Sequence, residues 1–157
     1  MLMEPTVYTF SLDEIENLTS VVVDRLKSAP HPFAAVIALE GDLGAGKTTF
    51  VQALGRRLGV SEPITSPTFT ILKSYETTDE VFQTLLHMDA YRIDDESELG
   101  PLRFGEVLAT QNAVFCIEWP ERIAGPLMKP FLILALSVID ENTRSVRITE
   151  TNVHSAT

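Results

Sequence analysis

The chain has 157 residues, with 12 Lys and Arg against 22 Asp and Glu, for a net charge of −10. That length supports one domain with its own core, and 45% apolar with 22% charged residues excludes wholesale disorder. The charge argues against a broad basic face for nucleic acid, but leaves room for a small local anion site. One cysteine, Cys116, excludes an intrachain disulfide and a cysteine-based zinc site.

The N-terminal stretch lacks the basic and apolar regions of a signal peptide. No apolar run approaches the ~18 residues of a membrane span. The expectation is a cytoplasmic protein.

Residues 7–10 read as a short strand. Ser11 and Glu14 then form a capping box. Leu12, Ile15, Leu18, Val22 and Leu26 follow at helical spacing and predict an amphipathic helix over 12–27, ended by SAPHP at 28–32. Residues 34–39, AAVIAL, are continuously apolar and β-branched at Val36 and Ile37, which predicts a buried strand of a parallel sheet.

A second helix is expected over 47–58, with Phe50, Val51, Leu54 and Leu58 inward and Gly59 closing it. The Pro-punctuated segment 62–68 reads as a loop. Residues 69–76 and 81–88 read as an antiparallel hairpin around the turn TTDE. The stretch 93–112 is polar with short helical pieces. Residues 113–118, AVFCIE, form a second buried strand ending in a carboxylate. Residues 131–138 and 144–149 pair around DENT, and 151–157 look like a frayed tail. The sum is an α/β, three-layer single domain over 1–150, with a mixed sheet of mainly parallel core and antiparallel strand additions.

The strongest chemical signal is Gly41, Asp42, Leu43, Gly44, Ala45, Gly46, Lys47 and Thr48, a complete G-x-x-x-x-G-K-[ST] loop followed by Thr49. The glycines let successive amides point into one concavity, and the following helix adds its positive end. Lys47 is expected on the β- and γ-phosphates of a nucleotide, and Thr48 on Mg²⁺. Such a site needs an acid at the end of a neighbouring strand. Glu118 and Asp89 are the two candidates, one to hold the metal and the other to orient the attacking water.

Thr65, Ser66, Pro67 and Thr68 lie where a γ-phosphate-sensing segment belongs. Their alternative is a plain Pro turn with hydroxyl caps. Arg92 is a candidate charge partner or an ordinary surface residue. His87 and Asp89 are two apart on a strand and share a face, so a hydrogen bond between them is possible; the alternative is a satisfied core or edge histidine. Trp119 is expected to face away from Glu118 if the strand continues, either as core or as a ring near the nucleotide or facing a partner. Cys116 reads as an inert core residue.

Four stretches, GDLGAGKTT at 41–49, TSPTFTI at 65–71, HMDAYR at 87–92 and IEWPERI at 117–123, together resemble the TsaE (YjeE) family of P-loop ATPases. The resemblance covers about residues 8–148. It implies that Lys47 and Thr48 serve phosphate and magnesium, and that Glu118 is the metal-associated acid. It further implies that Asp89 is essential, Thr68 switch-like, and Trp119 close to the nucleotide. It implies ATP and Mg²⁺ as cofactors and TsaB and TsaD as partners. TsaD would transfer threonylcarbamoyl to adenosine 37 of tRNA, with tRNA held mainly by the partners.

The expected function is therefore an ATPase of low activity alone. The rivals are a small-molecule or nucleotide kinase, read from the arginines at 56, 57 and 103, and a nucleotide-gated interaction module. A GTPase is disfavoured because no lysine follows an asparagine.

Overall fold

The computed structural model describes residues 4–67, 71–100, 102–123 and 129–151. At its centre lies β2 (Ala35–Glu40), buried from Ala35 to Leu39. Apolar side chains on both faces force such a strand between two covering layers. β5 (Ala113–Glu118), buried along its whole length, runs parallel beside it with Ile37 opposite Cys116 and Leu39 opposite Glu118. β4 (Thr84–Asp89) lies parallel beyond β5 and sets Asp89 opposite Glu118. β6 (Leu132–Val138) is parallel on the other side of β2.

The additions are antiparallel: β3 (Leu72–Glu76) on β4, β7 (Thr143–Glu150) on β6, and β1 (Thr6–Ser11) on β7. The order is β1-β7-β6-β2-β5-β4-β3. This mixed sheet with a parallel core is the expected architecture. It places the carboxyl ends of β2, β4 and β5 along one edge. The start of β7 and the end of β1 reach the same edge, because each of those strands reverses its neighbour.

Period-two alternation splits the core into two layers. Ala35, Ile37 and Leu39, with Leu85, Val114, Cys116 and Leu132, pack towards α1 (Ile15–Lys27) and α2 (Lys47–Leu58). Val36, Leu86, Met88, Phe115 and Ile117 face the other way, onto Ile93, Ile123 and Phe104 of α3 (Phe104–Leu108). The three layers are unequal. One face carries two full helices, the other a single short helix with 3-10 turns at Glu96–Leu99 and Pro120–Ile123. Among the described residues no helix is long and apolar enough to cross a membrane.

Three boundaries differ from the sequence reading by more than one residue. The helix expected over 12–27 opens as a 3-10 turn, Leu12–Glu14, before α1. The Glu14 carboxylate accepts from Ser11 N–H at 3.0 Å and Ser11 Oγ–H at 2.9 Å, and Leu12 N–H donates to Asn142 O at 2.9 Å, tying this turn to the end of the β6–β7 hairpin. The hairpin strand expected from 81 starts at Thr84. Asp79 captures the Val81 and Phe82 N–H groups at 3.0 and 2.9 Å, so the chain turns there instead of joining the ladder. Its partner starts at Leu72, after Ile71 with φ +64°; residues 69 and 70 lie outside the described residues. At the other terminus Thr151 is still bonded to Phe131 O through its N–H at 2.9 Å, and the expected tail beyond it lies outside the described residues.

Asp79 also links this turn to α1, through Lys27 Nζ at 2.9 Å. Desolvation alone would raise its pKa. The Phe82 and Val81 N–H groups and Lys27 outweigh that and hold the carboxyl below the ordinary aspartate value of 3.8. A carboxylate depressed in the folded state stabilises above its unfolded pKa and loses that contribution as pH falls through the folded value. Asp79→Asn is therefore expected to cost roughly 1 kcal/mol at pH 7. The gap from the parent should close progressively below about pH 4, as read by denaturant melts across pH. A gap that stays constant from pH 7 to pH 2.5 would contradict the assignment.

Candidate functional site

The site forms where β2 stops and α2 begins. Between them residues 41–46 curl back over the helix N-terminus. Two glycines are required there by geometry. Gly41 has φ +144°, and a Cβ on it would lie 2.6 Å from Leu136 O. Any side chain would push the loop off β6. Gly46 caps α2 in the left-handed region at φ +106°. Asp42 O accepts Ala45 N–H at 3.0 Å, and Gly46 O accepts Phe50 N–H at 2.8 Å, which closes the loop and starts the helix. The α2 N-terminus thus points its positive end into the cleft. Gly41, Asp42 and Ala45 shape the loop from beneath, whereas Leu43, Gly44, Gly46, Lys47, Thr48 and Thr49 line the cleft itself.

Lys47 is 5% exposed and folds back on its own loop. Its Nζ donates to Gly41 O and to Asp42 O, and lies 3.7 Å above the Trp119 ring. Burial lowers the Lys47 pKa, against the pull of Glu118, Glu121, Asp89 and Asp42. Of the readings open for Trp119, the core one does not hold, and the ring lies in the cleft. β5 ends at Glu118, and Trp119 takes φ +58°, so strand alternation no longer applies and the ring turns into the cleft.

Glu118 is 3% exposed and lies at the end of β5, level with the α2 N-terminus. Both of its oxygens are 3.0 Å from Thr48 Oγ1. His87 Nε2 is 2.6 Å from Glu118 Oε2. The hydrogen bond considered between His87 and Asp89 is therefore replaced. The two do share a face of β4, but the parallel neighbour β5 brings the Glu118 carboxylate to the imidazole across the strands. His87 is fully buried, and its Nδ1 has no partner among the described residues.

Asp89 sits further out, at the mouth. Its Oδ1 accepts Tyr91 N–H at 3.0 Å, and its Oδ2 accepts Ser66 Oγ–H at 3.5 Å. The two acids thus occupy distinct places, Glu118 on the Thr48 hydroxyl and Asp89 facing the open cleft. Thr68 lies outside the described residues. Arg92 lines a smaller adjoining cleft with Ser66, Pro67 and Asp89. Cys116 is buried, and desolvation followed by the Glu118 charge pushes its thiol pKa up, as an inert core residue requires.

The cleft holds about 280 Å³ and has a direction. On the β4–β5 side stand Ser66, Asp89, Glu118 and Trp119; on the β1–β7 side stand Leu12 and Arg144. The sequence reading missed both of the latter. Leu12 presents itself as an inward helical position, and Arg144 as one of several charges in a terminal strand pair. Neither lies within a motif; only the strand order brings them beside the glycine loop. Among the described residues no group of three His, Cys, Asp or Glu side chains could hold a metal ion.

A family model described as "Threonylcarbamoyl adenosine biosynthesis protein TsaE" matches residues 11–148. The tRNA threonylcarbamoyladenosine biosynthesis protein TsaE of a Nostoc species is 40% identical over 122 residues, 75% of this chain and 72% of that protein. The Rickettsia prowazekii protein of the same name is 34% identical over 143 residues, 90% of this chain and 92% of its own. The crystal structure of YdiB from Bacillus subtilis matches with a TM-score of 0.71 at 27% identity, covering 99% of this chain and 91% of that one.

Proposed function

The chain belongs to the TsaE family of threonylcarbamoyl adenosine biosynthesis proteins, and from that membership we propose that it binds and hydrolyses ATP with Mg²⁺ in support of TsaB and TsaD. The task of the assembly is threonylcarbamoyl modification of adenosine 37 of tRNA. The observation that carries the reading is the hydrogen bond between Thr48 and Glu118 beneath the glycine loop.

The residues present fit both ATP and Mg²⁺. A loop with positive φ at Gly41, Gly44 and Gly46 opens onto a helix N-terminus with Lys47 as its first residue. Mg²⁺ is characteristically held by one or two protein oxygens together with substrate phosphates and water, not by an all-protein cage. Thr48 and Glu118 supply such a sparse donor set. When bound, Mg²⁺ would neutralise charge on the phosphates and orient them.

The chain's own part follows from its geometry. The loop amides and the α2 N-terminus bind phosphate oxygens. Lys47 exchanges its Gly41 and Asp42 carbonyls for phosphate, a stronger charge-assisted partner. Glu118 aligns the Thr48 hydroxyl, and His87 fixes the Glu118 carboxylate in turn. Asp89, at the mouth, orients the attacking water and accepts its proton. Thr68 is proposed to follow the γ-phosphate, as its place after Pro67 suggests.

The net charge of −10 suits a subunit that meets tRNA mainly through its partners. A cytoplasmic site of action and a single domain over 1–150 complete the proposal. The test is Mg²⁺-dependent phosphate release from ATP, by the protein alone and with TsaB and TsaD. Low release alone and strong stimulation by the partners are expected. Phosphate appearing on a small acceptor would favour a kinase instead. ATP binding without release in either mixture would favour a nucleotide-gated module.

A further inference from the structure

We propose that the Trp119 ring competes with phosphate for the Lys47 ammonium, and that Tyr91, backed by Arg122, is the positioning residue that holds this internal competitor in place. The inference rests on the nucleotide reading and deepens it: a contact within the chain sets how tightly the glycine loop takes a phosphate.

Two observations carry it. First, the ammonium is satisfied within the chain. It has three N–H donors and no acceptor. Two are taken by Gly41 O and by Asp42 O at 3.3 Å, and the face of Trp119, with its centroid 3.7 Å from Nζ, is left for the third. These partners are not alike. The Gly41 and Asp42 carbonyls belong to the loop, whereas Trp119 lines the cleft together with Lys47. The ring thus stands on the side from which a phosphate arrives. It must yield before the ammonium can exchange its carbonyls.

Second, the ring is the inner member of a column that reaches the surface. Tyr91 packs on Trp119 with ring centroids 4.9 Å apart and planes at 52°, and the Arg122 guanidinium lies 5.4 Å from the centre of the Tyr91 ring. Both spacings are within reach of aromatic and cation–π attraction. Main-chain bonds fix each step. Ala90 N–H donates to Glu118 O at 3.0 Å, which ties the end of β4 to the end of β5 and sets Tyr91 beside Trp119. Tyr91 N–H donates to Asp89 Oδ1 at 3.0 Å, and Arg122 N–H to Trp119 O at 3.1 Å. Trp119 itself holds φ +58°, a left-handed conformation that costs a bulky residue energy and that its surroundings must sustain. Tyr91 is 41% exposed and Arg122 is exposed, so the column does not serve the core. Its inner end is the lysine of the glycine loop. A ligand that binds only once the ring has yielded has its affinity reduced in proportion to the population in which the ring holds the ammonium. Loosening the column is therefore expected to tighten phosphate binding, the reverse of what the loss of a ligand-binding or merely structural residue does.

Titration calorimetry with Mg²⁺–tripolyphosphate, which offers phosphates without base or ribose, is the test. Trp119→Leu is expected to bind it about tenfold more tightly than the parent, and Tyr91→Leu about threefold. Tyr91→Phe keeps the ring and should match the parent. Unchanged or weaker binding in both leucine variants would overturn the proposal, since Trp119 would then assist the lysine or merely fill space. Tightening in Trp119→Leu alone would overturn the role given to Tyr91. Should Trp119→Leu lose its cooperative melt, Tyr91→Leu against Tyr91→Phe decides. A second readout needs no ligand. Trp119 is the only tryptophan in the sequence, so its emission reports the ammonium on its face. Lys47→Met keeps the stem and removes the charge, and is expected to shift that emission. Tripolyphosphate should shift the parent's emission in the same direction. Identical emission from the parent and Lys47→Met would overturn the contact itself. A parent that binds neither Mg²⁺–ATP nor Mg²⁺–tripolyphosphate removes the nucleotide reading and the competition with it. A parent that binds both, with no tightening in either leucine variant, removes the competition alone.

Discussion

Lys47→Ala is expected to weaken Mg²⁺–ATP binding by about 100-fold or more while the fold persists. Lys47 is 5% exposed, and its ammonium sits 3.7 Å above the Trp119 ring. Burial disfavours its charge, and the surrounding carboxylates only partly offset this. On the proposed reading, phosphate oxygens would supply the missing counter-charge, so a bound nucleotide would relieve a cost already present in the free protein. Alanine removes that attraction and leaves the Gly41 and Asp42 carbonyls for water to satisfy at the cleft. The stability change should therefore be small, within about 1–2 kcal/mol. Calorimetry and a thermal melt decide the matter together. Unchanged ATP affinity would remove the site assignment, and loss of the cooperative melt would show that Lys47 holds the fold rather than the ligand.

Glu118→Gln should separate binding from hydrolysis. Turnover is expected to fall by about 100-fold or more, with ATP affinity changed only a few-fold. Glutamine keeps the shape of the side chain and still offers an oxygen to Thr48 Oγ1. It removes the negative charge held beside Thr48 and opposite the His87 imidazole. Because the group is 3% exposed, solvent cannot substitute for the lost charge. The readouts are phosphate release across a Mg²⁺ titration and the ATP affinity of the same variant. Full turnover with ATP bound would contradict the role of Glu118, and ordinary tRNA modification without hydrolysis would favour nucleotide gating.

The parts of the site legible in the sequence are those built from neighbours in the chain. The glycine loop, its preceding strand and its following helix occupy residues 35–58 without interruption, and local backbone geometry dictates their form. The Glu118 and Asp89 carboxylates were readable because each closes an apolar strand, and a parallel sheet aligns such ends. Strand alternation also put His87 and Asp89 on one face, yet it could not supply the imidazole's partner. The partner sits on β5, and cross-strand register is a property of the sheet, not of β4. Trp119 stayed open between core and cleft for a related reason. Alternation holds only while the strand continues, and a left-handed residue directly after Glu118 ends it.

By itself the sequence determined the two buried strands, the glycine loop between strand and helix, and the family. Each follows from short-range periodicity or from a motif whose residues touch one another. Only the tertiary structure decided which acid meets Thr48, and that Arg144 and Leu12 complete the far end of the cleft. Arg144 lies 100 positions beyond Gly44 and bonds to its carbonyl. Two reversals of direction, β6 to β7 and β7 to β1, carry these residues to the edge where β2 ends. No local pattern encodes such a juxtaposition, because it arises from the order in which seven strands pack.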